Sequence, residues 1–414
     1  MGLKGPVSVP AQNEAGKNLN YREGGNVTRG TREDHMDNLP TSQMTVISDA
    51  YSIICDFEWL ERAYRNARKG KRYRSEIMRF ADDLEGHLFL IQEAMLAGTY
   101  RIGPYRRLWV YIPKKRLVMA LGFADRIVQW SIYQLLNPFY DRLMIEDSYA
   151  CRVGKGSHKA AERLQYWLRQ IDRKPGPGWY FLKLDISKYF YRVDHARLLG
   201  VLRKRITDDR LLAFLEGVIN SDAEPFGLPP GCSPDEVALN DWIYDAGMPI
   251  GNLTSQLFAN IYLNELDQFC KHQLHIHYYI RYMDDVIILA PDKQQLHRIK
   301  ASIEAYLHEA LALDLNDKTA IRPVSMGIEF VGIRTWATHC TLRKSTVRRL
   351  KSEARSISEK YLTGQMSAED FHRRAASFNG LLSHTNSASL RWRLNEIYLR
   401  AAARNKEAQT DAPF

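Results

Sequence analysis

Ile280-Arg-Tyr-Met-Asp-Asp-Val-Ile-Ile-Leu289 sets two adjacent carboxylates, Asp284 and Asp285, between runs rich in Ile, Tyr and Val. Such runs predict the two arms of a β-hairpin with the acidic pair at its turn. Neighbouring like charges at a strand tip are costly to desolvate unless a cation sits between them. A divalent metal is one account of the pair, and an Asp-Asp turn that merely solvates a hairpin end is the other. The rest of the chain shifts the balance toward the metal.

About a hundred residues upstream, Gly178-Trp-Tyr-Phe-Leu-Lys-Leu-Asp185 reads as a β-run ending on a single carboxylate. Between the two lies Gly247-Met-Pro-Ile-Gly-Asn-Leu-Thr-Ser-Gln256, a tight turn feeding a helix from Leu257 to about His272 with Phe258, Ile261, Tyr262 and Leu266 on its apolar face. Glycines in such a turn let backbone approach a ligand closely. On adjacent strands, Asp185 and Asp284 would hold two divalent cations roughly 3.5–4 Å apart, the spacing that serves in-line phosphoryl transfer. Mg²⁺ suits hard carboxylate oxygens and substrate phosphates and rarely needs a full protein cage.

The flanking segments supply positive charge. Arg106 to Leu121 forms two β-like runs pinched at Pro113-Lys114-Lys115-Arg116, a cationic tip suited to a triphosphate. Helical spacing runs from residue 46 to 99, interrupted by six basic positions from Arg65 to Arg74, which fit a solvated helix end as well as a phosphate contact. A helix is expected over Phe123 to Pro138, and Ser148 to His158 reads as a Gly-rich basic loop opening another. The stretch from Asp222 to Asp245, with four prolines, reads as a surface insertion. After the hairpin come an amphipathic helix from Gln294 to Leu311, strands over Ile328 to Trp336, and helices from Arg343 to Arg404. Arg348, Arg349, Lys351 and Arg355 lie on the first of those helices, where they suit tracking of a nucleic-acid backbone or serve as solubilising charge.

The 414 residues, 45% apolar and 26% charged, describe a globular chain, and residues 1–44 form a polar lead expected to be flexible. A net charge of +10 points to a polyanionic partner. No apolar run approaches the roughly 20 residues that span a bilayer, so nucleic acid is favoured over a membrane. No apolar stretch follows the first residues, so a cytoplasmic location is expected. The five cysteines lie far apart without zinc spacing and are read as free thiols.

Phe181-Leu-Lys-Leu-Asp185-Ile-Ser-Lys-Tyr-Phe190, Gly247-Met-Pro-Ile-Gly251-Asn-Leu-Thr-Ser-Gln256 and Tyr282-Met-Asp-Asp285 stand in the order and spacing of the reverse transcriptases, which the chain resembles over about residues 60 to 400. The resemblance implies an α+β right-hand polymerase: a lead over 1–44, fingers over 45–175, a palm with an antiparallel sheet over 176–340, a helical basic thumb over 341–404, and a tail over 405–414. Ser255-Gln256 after Gly-Asn-Leu-Thr is similar to the enzymes of bacterial diversity-generating retroelements and their antiphage-defence relatives, as is Asp147 to Gly156. Group II intron proteins are expected to be further away, because no DNA-binding or endonuclease extension follows the short thumb, and retroviral enzymes further still.

Roles follow from the resemblance position by position. Asp185, Asp284 and the carbonyl of Ile186 would ligate two Mg²⁺ ions, with Mn²⁺ as a substitute and Asp285 as a supporting ligand. Lys318 would protonate the departing pyrophosphate, Lys114 and Arg116 would hold the triphosphate, and Phe190, Ile250, Gly251 and Gln256 would line the nucleotide site. A core Phe and a surface lysine are the plain alternatives for Phe190 and Lys318. Ile250 replaces a Gln common in the family, an exchange of a hydrogen bond for an apolar contact that lowers discrimination. The implied partners are a structured non-coding RNA template, a DNA or RNA primer and dNTPs, with an accessory protein or a homo-oligomer left open. A catalytically silent RNA-binding scaffold is the rival reading, against which the intact carboxylates argue; Phe190 argues against an RNA polymerase.

Overall fold

A computed structural model describes residues 45–410 apart from 112–114, 175, 177 and 221–223, and without the side chains of 239, 381 and 405–410. The lead over 1–44 and Lys114 therefore lie outside the described residues. The expected helical stretch is α1 (Tyr51–Ile54), α2 (Phe57–Ala67), α3 (Ser75–Asp82) and α4 (Leu84–Leu96). Asp56 and Asp83 cap α2 and α4 by accepting from the N–H groups of Trp59 and Gly86 at 3.0 and 3.1 Å, satisfying donors that a helix start leaves open.

The antiparallel hairpin β1 (Arg106–Val110) and β2 (Arg116–Ala120) precedes α5 (Phe123–Leu143), α6 (Ser157–Asp172) and β3 (Tyr180–Asp185). Then come α7 (Tyr189–Arg192), α8 (His195–Arg203), α9 (Asp209–Ile219), α10 (Leu253–Gln268), β4 (Tyr279–Tyr282), β5 (Asp285–Ala290) and α11 (Lys293–Leu311). The chain ends with β6 (Ala320–Pro323), β7 (Ile328–Phe330), β8 (Ile333–Thr335), β9 (Cys340–Leu342), α12 (Lys344–Leu362), α13 (Ala368–Leu382) and α14 (Ala388–Thr410). This is the expected α+β class with antiparallel sheets.

The main sheet has the order β4-β5-β3-β6, all antiparallel. Alternation along its strands splits the core in two. Leu182, Leu184, Val286 and Ile288 face a large core that includes Phe258, Ile261, Tyr262 and Leu266 of α10, as their spacing predicts. Phe181, Ile287 and Leu289 face a second core shared with Leu164, Trp167 and Leu168 of α6 and with Ile328 and Phe330 of β7. Helices α12, α13 and α14 close a third core, to which α12 contributes Leu350, Ala354 and Ile357 at helical spacing.

Three expectations are corrected, and one strand is added. Helix α5 runs five residues past Pro138, with the proline inside it. Proline removes one helical hydrogen bond, and burial of Leu135, Leu136, Phe139 and Tyr140 outweighs that loss. Residues 224–246 are not a surface insertion: Phe226, Leu228 and Trp242 are buried and form a core with Tyr105, Leu117, Met119 and Leu121 around the β1–β2 hairpin. Gly227 and Ile243 exchange backbone hydrogen bonds of 2.9 and 3.0 Å there. A Cβ on Gly227 would lie 2.8 Å from the Ala246 carbonyl, so only glycine fits. Strand β6 adds an edge to the main sheet that no periodicity indicated. The terminal helix continues to Thr410, past the expected start of the tail.

Candidate active site

Asp185 and Asp285 are directly opposed in the β3–β5 register, on the sheet face shared with Phe181 and Ile287. Asp284 does not enter a strand. It follows Met283 in the two-residue loop between Tyr282 and Asp285, which pair across β4 and β5. The acidic pair is thus divided: Asp284 caps the turn and Asp285 begins the strand. Met283 has φ +53°, a conformation uncommon for a non-glycine residue and held here by its surroundings.

The constraint comes from beneath the turn. Arg281 and Asp267 are both fully buried and meet in a bidentate pair, Nε to Oδ1 at 2.7 Å and Nη2 to Oδ2 at 2.6 Å. Arg281 also donates to the carbonyl of Met283 and to Asn260 Oδ1, both at 3.2 Å. The Tyr279 hydroxyl completes the cluster by donating to Asp267 at 2.6 Å. A guanidinium presents fixed donors in a plane, so this fork sets the height of the turn that carries Asp284.

Asp285 is held from the side. Lys183 Nζ donates to its Oδ2 at 3.0 Å, while Oδ1 is buried without a partner among the described residues. Burial pushes the Asp285 carboxyl up to about 6, with the charges of Asp284 and Asp185 adding to that push and Lys183 opposing it. The backbone of Asp185 is clasped by the turn after α11: its carbonyl accepts from Asn316 N–H at 2.7 Å, and its N–H donates to Thr319 Oγ1 at 3.4 Å. Lys318 is exposed in that same turn, its N–H donating to Asn316 Oδ1 at 3.0 Å. Ile186 pairs with Leu315 through bonds made by its neighbours, Asp185 O and Ser187 N–H, leaving its own carbonyl outside the bridge.

The segment before α10 ties the hairpin to this site. Met248 N–H donates to the Phe190 carbonyl at 2.7 Å, and Met119 N–H of β2 donates to the Ile250 carbonyl at 2.9 Å. Gly251 has φ +112°, and a Cβ there would lie 2.8 Å from Val118 Cγ1, so glycine is what lets β2 approach. Phe190 is half-buried beside the buried Tyr189, whose hydroxyl donates to the Ala259 carbonyl at 2.6 Å. Burial pushes the Tyr191 hydroxyl up, and Arg116 at the start of β2 is close enough for its charge to oppose that push in part. Gln256 accepts from Cys151 Sγ at 3.3 Å, which brings the Gly-rich loop before α6 to the start of α10.

Arg348, Arg349 and Arg355 are exposed and Lys351 is half-buried on α12. Among the described residues, no three His, Cys, Asp or Glu side chains form a ready-made metal cluster, no helix is long and apolar enough to cross a membrane, and all five cysteines are free thiols. Sequence reading missed the Arg281–Asp267 fork, Lys183 and the Asn316–Thr319 clasp. The one signal available was a lysine between two leucines in an apolar strand, on the same face as Asp185.

The chain is similar to "Protein YkfC" of Escherichia coli, 29% identical over 60% of this chain and 70% of that protein. It is also similar to "Group II intron-encoded protein LtrA" of Lactococcus lactis, 26% identical over 50% of this chain and 32% of that protein. The relatives thus include the intron-encoded group that the motifs set further away. A telomerase from Candida albicans, solved with a fragment of telomeric RNA, is 14% identical with a TM-score of 0.38 over 63% of this chain and 51% of that one. Residues 112–335, more than half of the chain, match the family model described as reverse transcriptase (RNA-dependent DNA polymerase), and the chain belongs to the reverse transcriptase family.

Proposed function

We propose that this chain is an RNA-directed DNA polymerase that adds dNTPs to a primer 3′-hydroxyl, copying a cognate structured non-coding RNA in a bacterial retroelement or antiphage defence system. One observation carries the reading: Asp185 and Asp285 oppose each other across a strand pair with Asp284 adjacent. Like charges directly opposite destabilise a sheet, and the arrangement suits a bound divalent cation. The intron-encoded relative supports a retroelement setting, and Gly251 to Gln256 supports the diversity-generating or defence branch.

The donor set fits Mg²⁺, with Mn²⁺ as a substitute. Carboxylate oxygens are hard ligands, Asp285 keeps a buried oxygen without a partner among the described residues, and Mg²⁺ takes one or two carboxylates together with substrate phosphates. Asp185, Asp284 and the Ile186 carbonyl would hold two ions, which when bound activate the 3′-hydroxyl and neutralise charge on the leaving pyrophosphate. Arg116 and Lys114 hold the triphosphate, Lys318 gives its proton to the departing pyrophosphate, and Ile250, Gly251 and Gln256 line the nucleotide beside Phe190. In this reading 45–175 are fingers, 176–340 the palm and 341–404 the thumb, whose three helices pack on one another and on Ala161, Ile333 and Leu342. The direct test is incorporation of labelled dNTP on a primed RNA template with Mg²⁺.

Phe190 tests the substrate class. If its half-buried ring lies under the incoming sugar, the 2′-oxygen of a ribonucleotide collides with it, and such a clash costs roughly 1–3 kcal/mol. That equals about a ten- to hundredfold preference for dNTP. Phe190→Ala should raise rNTP incorporation relative to dNTP by a comparable factor. An unmoved ratio returns Phe190 to the core, and a wild type that prefers rNTP rejects the reading.

The thumb gives a second expectation. Template-primer binding should weaken steeply with salt, by a log-log slope of about 0.7 to 0.9 per phosphate neutralised. Replacing the exposed Arg348 and Arg349 with Gln should flatten that slope. A slope unchanged by the double substitution would make the charge on α12 solubilising only.

A further inference from the structure

Lys183 sits in β3 between Leu182 and Leu184, both fully buried, on the face it shares with Asp185. A lysine in that position must find partners or reach solvent. It finds two: Asp285 Oδ2 at 3.0 Å, and the main-chain carbonyl of Glu329 at 2.8 Å. Glu329 belongs to β7, in the separate β7-β8-β9 sheet. Its carboxylate lies 3.7 Å from the guanidinium of Arg343, the N-cap residue of α12. One ammonium therefore joins a carboxylate of the site to the sheet from which the basic helices depart. Lys183 and Asp285 are each only about a quarter exposed, 27% and 26%, so salt screens their pairing less than that of a surface pair.

We infer that Lys183 is a positioning residue that holds the Asp285 carboxylate and the β7 backbone at a fixed separation, so that the duplex-binding helices and the carboxylate site are set together. Neutralising charge would need only a nearby cation. Bridging needs one head group with donors aimed at both oxygens, which an ammonium with three donors supplies. The consequence for catalysis rests on the polymerase reading, whereas the bridge itself does not.

The test uses Lys183→Met and Lys183→Arg in the full chain. Lys183→Met should lower kcat for dNTP incorporation by about tenfold to a hundredfold, the cost of a misplaced group of about an ångström, with KM for dNTP little changed. Lys183→Arg, which keeps two usable donors, should recover most of that loss. Hydrogen exchange over residues 328–330 should accelerate in Lys183→Met, because Glu329 loses its cross-sheet donor. The fall in Tm caused by Lys183→Met should shrink on an Asp285→Asn background, where no buried anion is left unpaired.

A loss of kcat with unchanged exchange over 328–330 would overturn the bridge. So would Lys183→Arg behaving like Lys183→Met, or strictly additive Tm changes. Faster exchange with an unchanged kcat would overturn the positioning role. If the wild type incorporates no nucleotide, the polymerase reading fails, and the exchange and Tm measurements still decide the bridge.

Discussion

Asp284→Ala is expected to reduce incorporation of labelled dNTP by about 10³-fold or more, equivalent to roughly 4 kcal/mol of transition-state stabilisation. The fold should survive, because Asp284 occupies the turn between β4 and β5 and the Lys183–Asp285 pair is untouched by its removal. The double variant Asp284→Ala/Asp285→Ala should be equally inactive. Both should bind RNA as the wild type does, since both keep the cationic residues of α12. Undiminished incorporation by either variant would sink the assignment of the carboxylates. A fall of many degrees in Tm for Asp284→Ala would instead mark the acidic pair as a structural turn.

Arg281→Met is expected to cost the most in stability. Arg281 and Asp267 have no solvent exposure, and removing the guanidinium leaves Asp267 as a buried anion with one hydroxyl donor, from Tyr279. Breaking a buried pair in this way costs about 3–5 kcal/mol, a large share of the roughly 5–15 kcal/mol that holds a typical domain. At about 2–4 °C per kcal/mol for a domain of this order of size, Tm should fall by roughly ten degrees. Arg281→Met/Asp267→Leu should regain much of that loss, because no charge is left unpaired. Incorporation should stay low in the double variant, since the Met283 carbonyl has lost the donor that sets the height of the turn. Recovery of activity together with stability would show that the fork serves only the core.

Much of this site was legible before any tertiary contact was known. Two apolar runs that end on acids predict strands with carboxylates at one end, and β3 and β5 end and begin on Asp185 and Asp285. The apolar stripe of Phe258, Ile261, Tyr262 and Leu266 predicts a helix with one buried face, which α10 is. These signals are local, because backbone period and the chemistry of neighbouring residues act within one or two turns of chain.

Other features had no local signature. Pro138 marks a helix end by its own chemistry, yet the helix passes through it because four neighbouring side chains are buried in the core. The prolines and glycines of 224–246 read as loop, yet Phe226, Leu228 and Trp242 find a core partner in a hairpin more than a hundred residues away.

The sequence by itself determined which strands end on carboxylates, which helix faces are apolar and where positive charge collects. Only the tertiary structure decided that Asp185 opposes Asp285, that Lys183 reaches both Asp285 and Glu329, and that Arg281 is buried on Asp267 beneath the turn. The physical reason is that a residue's period tells which way it faces, whereas its partner depends on strand register and helix packing. Those are fixed by contacts between segments far apart in the chain, and a charge can be buried only where such a contact brings its counter-charge.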